Sequence, residues 1–334
     1  MASRKLLFLP RTGLATDILS QRAREVLVSL GDVVWNETDC DPTPEALADQ
    51  LPDAWGVVTS WGSPAFTPAL LAQAPNLRIV GHAAGSVKHL MPKEGYDRGI
   101  IVLSAAAVIA DAVAEYTLWA MLNMQRNLTR FWALMKDARA WGYGEGGFGN
   151  ELYYKRVGIV GASLVGRRVI KLLQPFGCDV VVYDPYLSLA ECEALQVRRV
   201  SLEELFSISD IVSVHAPTTP ETRAMIGPEH FAALQDGALF INTARAWVVD
   251  QAAMIATLRT GRIRAVLDVF DQEPLAEDAP LRDMDNVFLT PHISGHTTES
   301  RARLVEAIAD DMQCFVAGKP LRLAVSWDRL KIMA

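Results

Sequence analysis

Residues 157–166 read VGIVGASLVG, and residues 180–186 read VVVYDPY. The first string is an apolar strand that runs into Gly161 and then into a helical pattern holding Gly166. The spacing is G-x-G-x-x-G with Ser163 at the middle glycine. Such a turn needs a tight bend at the first position, close backbone approach at the second and helix–strand contact at the third. The N–H groups that open the helix, at Leu164 and Val165, would then face a pyrophosphate. Ser163 weakens the pattern by adding a side chain where the backbone should approach a ligand, although a hydroxymethyl is small and its oxygen can itself face a phosphate. A glycine-rich turn alone is often only a turn. Asp184 strengthens the reading, because an acid about 20 residues on accepts from ribose hydroxyls and repels a 2′-phosphate. Together they predict a dinucleotide site that favours NAD over NADP.

Working outward, short aliphatic runs alternate with helical patterns on both sides of this turn. Upstream strands are expected at Leu6–Leu9, Asp32–Trp35, Gly56–Thr59, Leu77–Val80 and Ile100–Leu103, with helical segments at Thr16–Leu30, Pro44–Leu51 and Pro68–Ala74. A long helix is expected over about Asp111 to Leu128, then a glycine-rich arm, Trp141–Asn150, whose Trp141, Tyr143 and Phe148 need a surface to pack on. That surface is a partner subunit or the body of the same chain. Downstream strands are expected at Arg156–Val160, Val180–Tyr183, Ile211–His215, Ala238–Asn242, Ala265–Val269 and Val287–Leu289, with a last helix over about Thr298 to Ala317 closed by Gly318. Strand–helix alternation of this kind predicts an α/β chain with two doubly wound parallel sheets.

Composition bounds the function. The 334 residues carry 32 Lys plus Arg and 39 Asp plus Glu, a formal charge of −7, which argues against a nucleic-acid or anionic-membrane partner. The four cysteines, Cys40, Cys178, Cys192 and Cys314, form no C-x-x-C pair, so neither a disulfide framework nor a cysteine-rich zinc module is expected. The apolar start is too short for a signal peptide, and Ala112–Met124 contains Glu115 and falls short of the roughly 20 residues of a membrane span. A cytoplasmic protein is expected.

Three later segments each put a polar residue just after an apolar strand. FINTARAWVVD (240–250) offers Arg245, LDVFDQEP (267–274) offers Glu273, and LTPHISGHT (289–297) offers His292. Ligands of open α/β sheets sit at the carboxyl ends of strands, so these side chains could form a charged cluster there. Each also has a plain alternative: a surface arginine, a loop acid, a packed histidine. His292 and His296 are four apart, but Pro291 and Gly295 oppose the helix that a metal pair at this spacing needs, and no metal is expected.

The chain resembles the D-isomer-specific 2-hydroxyacid dehydrogenases over nearly its whole length. The resemblance rests on the order and spacing of VGIVGASLVG, VVYDPY, SDIVSVHAPTTPETRAMI, ALFINTARAWVVD, AVLDVFDQEPL and NVFLTPHISGHT. It implies Arg245, Glu273 and His292 as the catalytic set. His292 would be the general acid–base for a 2-keto/2-hydroxy acid pair, Glu273 would fix its tautomer, and Arg245 would bind the substrate carboxylate and polarise the carbonyl. Formate dehydrogenases of this architecture carry glutamine where Glu273 stands, so the glutamate favours hydroxyacid chemistry. The resemblance also implies NAD (NADH) contacts from Gly161, Ser163, Leu164, Val165, Gly166, Asp184, His215, Ala216, Pro217, Thr222, Thr243, Ala244, Asp268, His292 and Gly295. Asp268 would lie near the nicotinamide amide. Substrate contacts would come from Trp61, Gly62, Gly85, Ser86, Lys88, Arg245 and His292, with His89, Trp141 and Trp247 as further candidates.

By the same resemblance the domains are discontinuous. Residues 1–105 and 297–334 form a flavodoxin-like substrate domain, and residues 106–296 a Rossmann NAD domain inserted in it, with the site in the cleft between. A homodimer with contacts from about 112–150 is expected. Departures from the family pattern are Ser163, Ala246 after Arg245, Lys88 and His89 where Asp and Asn are common, and Val108 and Ile109 where an Asn is common. Lys88 or His89 would suit an anionic side chain on the substrate. Two alternatives remain at this stage: a phosphite-type oxidation on the same scaffold, and an NAD-sensing module whose enzyme site is vestigial.

Overall fold

The computed structural model describes residues 4–139, 141, 147–330 and 333. The chain divides into two compact units, one made of Met1–Ala110 with His296–Ala334, the other of Asp111–Gly295. The second is inserted in the sequence of the first, and the first crossing falls inside the Ala106–Gln125 helix.

Among the described residues the first unit has five strands, β1 (Lys5–Phe8), β2 (Asp32–Trp35), β3 (Ala54–Thr59), β4 (Ile79–His82) and β5 (Ile101–Ser104). They pair in parallel in the order β2-β1-β3-β4-β5, the flavodoxin-like order. Successive side chains point to opposite faces, so both faces must be covered. Leu7, Val57, Val80 and Val102 pack with Leu47, Leu70 and Leu71 on one face. Leu6, Phe8, Val58, Ile79 and Leu103 pack with Leu27, Leu304 and Ile308 on the other. The open edge of β5 is closed by the C-terminal segment: Ser104 N–H donates to the Leu323 carbonyl at 3.0 Å, and Val325 N–H to the Val102 carbonyl at 2.9 Å. Asp311, 0% exposed, holds that segment by accepting from Arg322 N–H (2.8 Å) and Leu323 N–H (2.7 Å).

The second unit has seven: β6 (Arg156–Val160), β7 (Asp179–Tyr183), β8 (Arg198–Arg199), β9 (Ile211–Val214), β10 (Leu239–Asn242), β11 (Arg264–Leu267) and β12 (Val287–Leu289). All pairs are parallel, in the order β12-β11-β10-β9-β6-β7-β8, the Rossmann order with an extra strand. Strand order reverses between β6 and β9. The alternation seen in the first unit recurs here, with Val160, Val181, Phe240 and Leu267 on one face and Ile159, Val182, Ile241 and Val266 on the other.

Several elements differ from the sequence expectation. The segment expected as one helix over Thr16–Leu30 is two, Thr12–Ile18 and Gln21–Leu30, because Leu19 is extended and Ser20 caps the second by accepting from Ala23 N–H. The long helix starts earlier, at Ala106, and stops at Gln125. Asn127 is left-handed (φ 52°), a conformation asparagine tolerates, and it separates a further helix, Leu128–Lys136. That helix escaped the sequence reading and buries none of its residues. β8 also escaped, since two exposed arginines show no strand alternation. Trp141 (91% exposed) and Phe148 (75%) stand on the surface, while Tyr143 lies outside the described residues. Among the described residues no helix is long and apolar enough to cross a membrane.

Candidate active site

The β6–helix turn explains which glycines are needed. Gly161 has φ +97°, and a Cβ there would lie 2.8 Å from the Ala216 backbone at the end of β9. A Cβ at Gly166 would lie 2.1 Å from the Gly161 carbonyl oxygen. Ser163 is under no such limit. It is extended (φ −66°, ψ −174°) and caps the Leu164–Leu173 helix, its hydroxyl accepting from Gly166 N–H at a long 3.4 Å. Serine therefore replaces the middle glycine without backbone strain. The N–H groups of Leu164 and Val165 have no intrahelical acceptor, and Leu164 is exposed. A pyrophosphate fits this end.

Asp184 is joined to the same turn. Its carboxylate accepts from Ala162 N–H and from Tyr186 N–H, both at 2.8 Å. Arg167 fastens the turn from the other side, donating to the Ala162 carbonyl (2.9 Å) and to Glu191 (2.7 Å). Across the switch point, His215 N–H donates to the Val160 carbonyl at 2.7 Å. The His215 ring is buried, and burial pushes its pKa down to about 3, so it is neutral. Its Nε2 pairs with Ser213 Oγ at 2.9 Å, and its Nδ1 has no hydrogen-bond partner among the described residues. Thr222 shapes the following turn by donating to the Pro217 carbonyl at 2.7 Å. These residues suit a nicotinamide dinucleotide: an open helix start for phosphates and an oriented carboxylate for the ribose.

Arg245, Glu273 and His292 come together in the same unit. Asn242, buried at the end of β10, clamps the turn that carries Arg245: its Oδ1 accepts from Ala244 N–H and its Nδ2 donates to the Arg245 carbonyl, both at 3.0 Å. Thr243 packs beside it, 3.3 Å from the Thr117 hydroxyl. Burial lowers the Arg245 pKa and the charge of Glu273 raises it; an arginine remains a cation under both influences. Glu273 Oε1 accepts from Phe270 N–H at 2.9 Å, and its Oε2 lies 2.7 Å from His292 Nδ1. An ionised carboxylate only accepts, so Nδ1 carries the proton and Nε2 is left for chemistry. Burial raises the Glu273 pKa, but the His292 and Phe270 hydrogen bonds and the charges of His292 and Arg245 outweigh it, and the carboxyl sits below its ordinary value.

His292 itself is left-handed (φ 55°). Its loop is held by Asp268, which is 0% exposed. Oδ1 accepts from Thr290 Oγ1 (2.6 Å) and Ile293 N–H (2.8 Å), and Oδ2 from Ser294 N–H (2.9 Å). Thr290 in turn meets Tyr116 of the Ala106–Gln125 helix, hydroxyl to hydroxyl at 2.7 Å. Tyr116 and Thr290 were missed from sequence: Tyr116 reads as one more apolar position of a helix, and Thr290 as the residue before a proline. Trp247 is tied down by its own indole N–H, which donates to the Thr219 carbonyl at 3.2 Å.

The first unit carries the remaining candidates. Gly85 and Ser86 lie in the loop after β4, which Ser104 Oγ pins by donating to the Gly85 carbonyl at 2.6 Å. Lys88 N–H donates to Ser86 Oγ at 3.4 Å. His82, buried at the end of β4, pairs with Thr59 Oγ1 at 2.9 Å, and burial lowers its pKa to about 4. Trp61 stacks on His296 (centroids 5.5 Å apart) and lies under the Arg301 guanidinium. Gly62 is left-handed (φ 82°). His296, considered from sequence only as a metal partner, instead faces Trp61 and Arg301, its Nδ1 lying 2.7 Å from Arg301 Nη1. Among the described residues no group of three or more His, Cys, Asp or Glu is placed to hold a metal.

Comparison with known proteins matches this arrangement to one family. Residues 118–294 match the family model described as "D-isomer specific 2-hydroxyacid dehydrogenase, NAD binding domain". The chain is similar to a D-3-phosphoglycerate dehydrogenase of Methanocaldococcus jannaschii, 32% identical over 309 residues, covering 92% of this chain and 57% of that protein. It is similar to a glyoxylate reductase of Korarchaeum cryptofilum, 31% identical over 290 residues and 86% of each. Among solved structures, a phosphoglycerate oxidoreductase from Rhizobium etli superposes with a TM-score of 0.82 at 26% identity and 97% coverage of both chains. The chain thus spans about half the length of the phosphoglycerate dehydrogenases it matches.

The Glu273–His292 pair has a pH signature. A carboxyl held below its ordinary value of 4.5 contributes stability that is present above that value and lost as the pH falls through the lowered one. Urea denaturation between pH 6 and pH 3.5 should therefore show wild type losing more stability than Glu273→Gln; parallel losses would contradict the pairing.

Proposed function

The chain belongs to the D-isomer-specific 2-hydroxyacid dehydrogenase family, and on that premise we propose that it is an NAD-dependent enzyme interconverting a 2-keto acid and a D-2-hydroxy acid. The observation that carries this reading is the 2.7 Å contact between His292 Nδ1 and Glu273, with Arg245 close enough to act on the same carboxylate. The phosphite-type and NAD-sensing alternatives gain no support from the relatives.

When bound, the nicotinamide supplies or accepts the hydride. The chain's own residues do the rest. Arg245 binds the substrate carboxylate with its planar fork and draws electron density from the adjacent carbonyl. In reduction, the His292 imidazolium donates its Nε2 proton to the carbonyl oxygen as negative charge develops there. Glu273 stays ionised throughout, keeping the proton on Nδ1 and stabilising the cation. In oxidation, neutral Nε2 takes the hydroxyl proton back. Glutamine at 273 would hold the ring without stabilising the cation, which is why the glutamate supports chemistry with a proton to move. Gly85 and Ser86 are assigned the substrate carboxylate by family pattern. Lys88 or His89 is the side chain that would meet a second acidic group. The cofactor unit in this reading is 106–296 and the substrate unit 1–105 with 297–334, in a cytoplasmic enzyme.

Asp184 is assigned the ribose hydroxyls, which supports NAD over NADP. A homodimer through residues 112–150 accounts for the apolar side chains left exposed there: Leu128 (50%), Trp132 (60%), Met135 (51%) and Trp141 (91%). A monomer with that much apolar surface in one segment is unusual.

Three measurements test these assignments. With NADH and a panel of 2-keto acids, His292→Ala should lower kcat about 10²- to 10⁴-fold while NADH binding is retained; near-normal kcat would remove His292 from the mechanism. Asp184→Ala should narrow the preference for NADH over NADPH, and an unchanged ratio of kcat/KM for the two cofactors would show that Asp184 does not read the ribose. In sedimentation velocity the wild type should run as a dimer and Trp132→Glu as a monomer; a monomeric wild type would exclude the interface.

A further inference from the structure

The geometry points to Tyr116 and Thr290 as positioning residues that hold the His292 loop in its reactive shape through the buried carboxylate of Asp268. This inference rests on the reading of His292 as the acid–base group.

Hydrogen-bond direction follows from the end of the chain. The Thr290 hydroxyl donates to Asp268 Oδ1 at 2.6 Å and so spends its one proton there. The Tyr116 phenol must then donate to Thr290 Oγ1, across 2.7 Å. Burial, with a smaller contribution from the Asp268 charge, pushes the Tyr116 pKa up to about 12, so the donor is protonated at any working pH. Tyr116, Thr290 and Asp268 therefore form a directed series of hydrogen bonds that ends on a carboxylate.

What the series holds is a strained turn. Thr290 N–H donates to the Leu267 carbonyl at 3.0 Å, and the Thr290 carbonyl accepts from His292 N–H at 3.0 Å. Pro291 lies between them and His292 is left-handed. Immediately after it, Ile293 N–H and Ser294 N–H both close on Asp268, at 2.8 and 2.9 Å. The loop is thus fastened to one carboxylate on both sides of His292, by the Thr290 side chain before it and by the Ile293 and Ser294 N–H groups after it, and the ring direction toward Glu273 follows from that backbone. Without the carboxylate, a non-glycine residue leaves the left-handed region for a commoner conformation. By family resemblance Asp268 was assigned to the nicotinamide amide. Three of its roughly four acceptor sites serve the loop, which leaves one for such a contact. Tyr116 brings a different element, the Ala106–Gln125 helix, into the same support.

The test compares full-length wild type with Tyr116→Phe, Thr290→Val and His292→Ala, using NADH and glyoxylate as probes. Misplacing a reacting group by about 1 Å costs about 10²-fold in rate. Tyr116→Phe, which removes only the outer donor, should lower kcat about 10-fold. Thr290→Val should lower it about 100-fold. The Kd for NADH, read from its fluorescence, should stay within about twofold in both. Because the effect passes through His292, adding Tyr116→Phe to His292→Ala should cost nothing further. A readout without turnover is the nitrogen NMR spectrum of histidine-labelled protein, in which the His292 signals are those lost in His292→Ala. These signals should move in Tyr116→Phe and Thr290→Val while the other histidines stay in place. The inference is overturned if the His292 signals and kcat match wild type in both variants. It is also overturned if the Tyr116→Phe effect persists in the His292→Ala background, or if NADH binding falls together with kcat. Normal kcat in His292→Ala would instead overturn the acid–base assignment, and the NMR shift would still decide the positioning role.

Discussion

Parallel pairing governs the rest of this structure. A parallel strand cannot return by a hairpin, so each crossover must carry the chain back before the next strand begins, and every strand then ends on the same edge of its sheet. In the second unit this places the residues that follow β6, β9, β10, β11 and β12 along one edge. Those residues are the Gly161–Gly166 turn, His215, Arg245, Asp268 with Glu273, and His292. Backbone pairing continues one residue past the strands, with His215, Asp268 and Thr290 N–H donating to the Val160, Asn242 and Leu267 carbonyls, and polar side chains there pair with the loops and with one another. Gly161 shows how tight this edge is, since even a methyl group would meet the Ala216 backbone.

Three carboxylates at this edge do three different jobs, and their partners separate them. Asp184 accepts two backbone N–H bonds that orient it and keeps capacity for ribose hydroxyls. Glu273 accepts one backbone bond and faces the His292 ring nitrogen, so its charge orients that ring. Asp268 is wholly buried and nearly saturated, so its charge serves the backbone. Leaving such a buried acceptor unsatisfied costs about 1–3 kcal/mol, more for a charge, which is why its donors come from both side chain and main chain. The overall charge of −7 says little about any of this. The proposed dinucleotide and acid substrate are anions, and the acidic average is offset locally by Arg245 and a helix start.

The first unit follows the same rule with a different emphasis. Its β4 loop is pinned through backbone carbonyls by Ser60 and Ser104 rather than through a carboxylate. The Trp61–His296–Arg301 stack joins the end of β3 to the residues before and within the Thr298–Val316 helix. Asp311 repeats the device seen at Asp268, a buried carboxylate that gathers backbone N–H groups, here to seal the sheet edge.

The amino-acid sequence alone determined the alternation of strands and helices, the Gly161–Gly166 turn with Asp184, and the three residues Arg245, Glu273 and His292. These are legible because each depends on local spacing: period-two apolar runs, a glycine where the backbone turns, a polar residue just past a strand. Sequence left the meaning of Ser163 open, merged two helices across Ser20, and overlooked the Leu128–Lys136 helix and β8. It also gave no sign of Tyr116 or Thr290. Whether a serine caps a helix or blocks a ligand depends on its ψ and on which N–H it meets. Whether an aspartate faces solvent or three donors depends on groups far apart in the chain, and Tyr116 lies 174 residues from Thr290. Only the tertiary structure decided these, because hydrogen-bond direction and burial belong to neighbours in space.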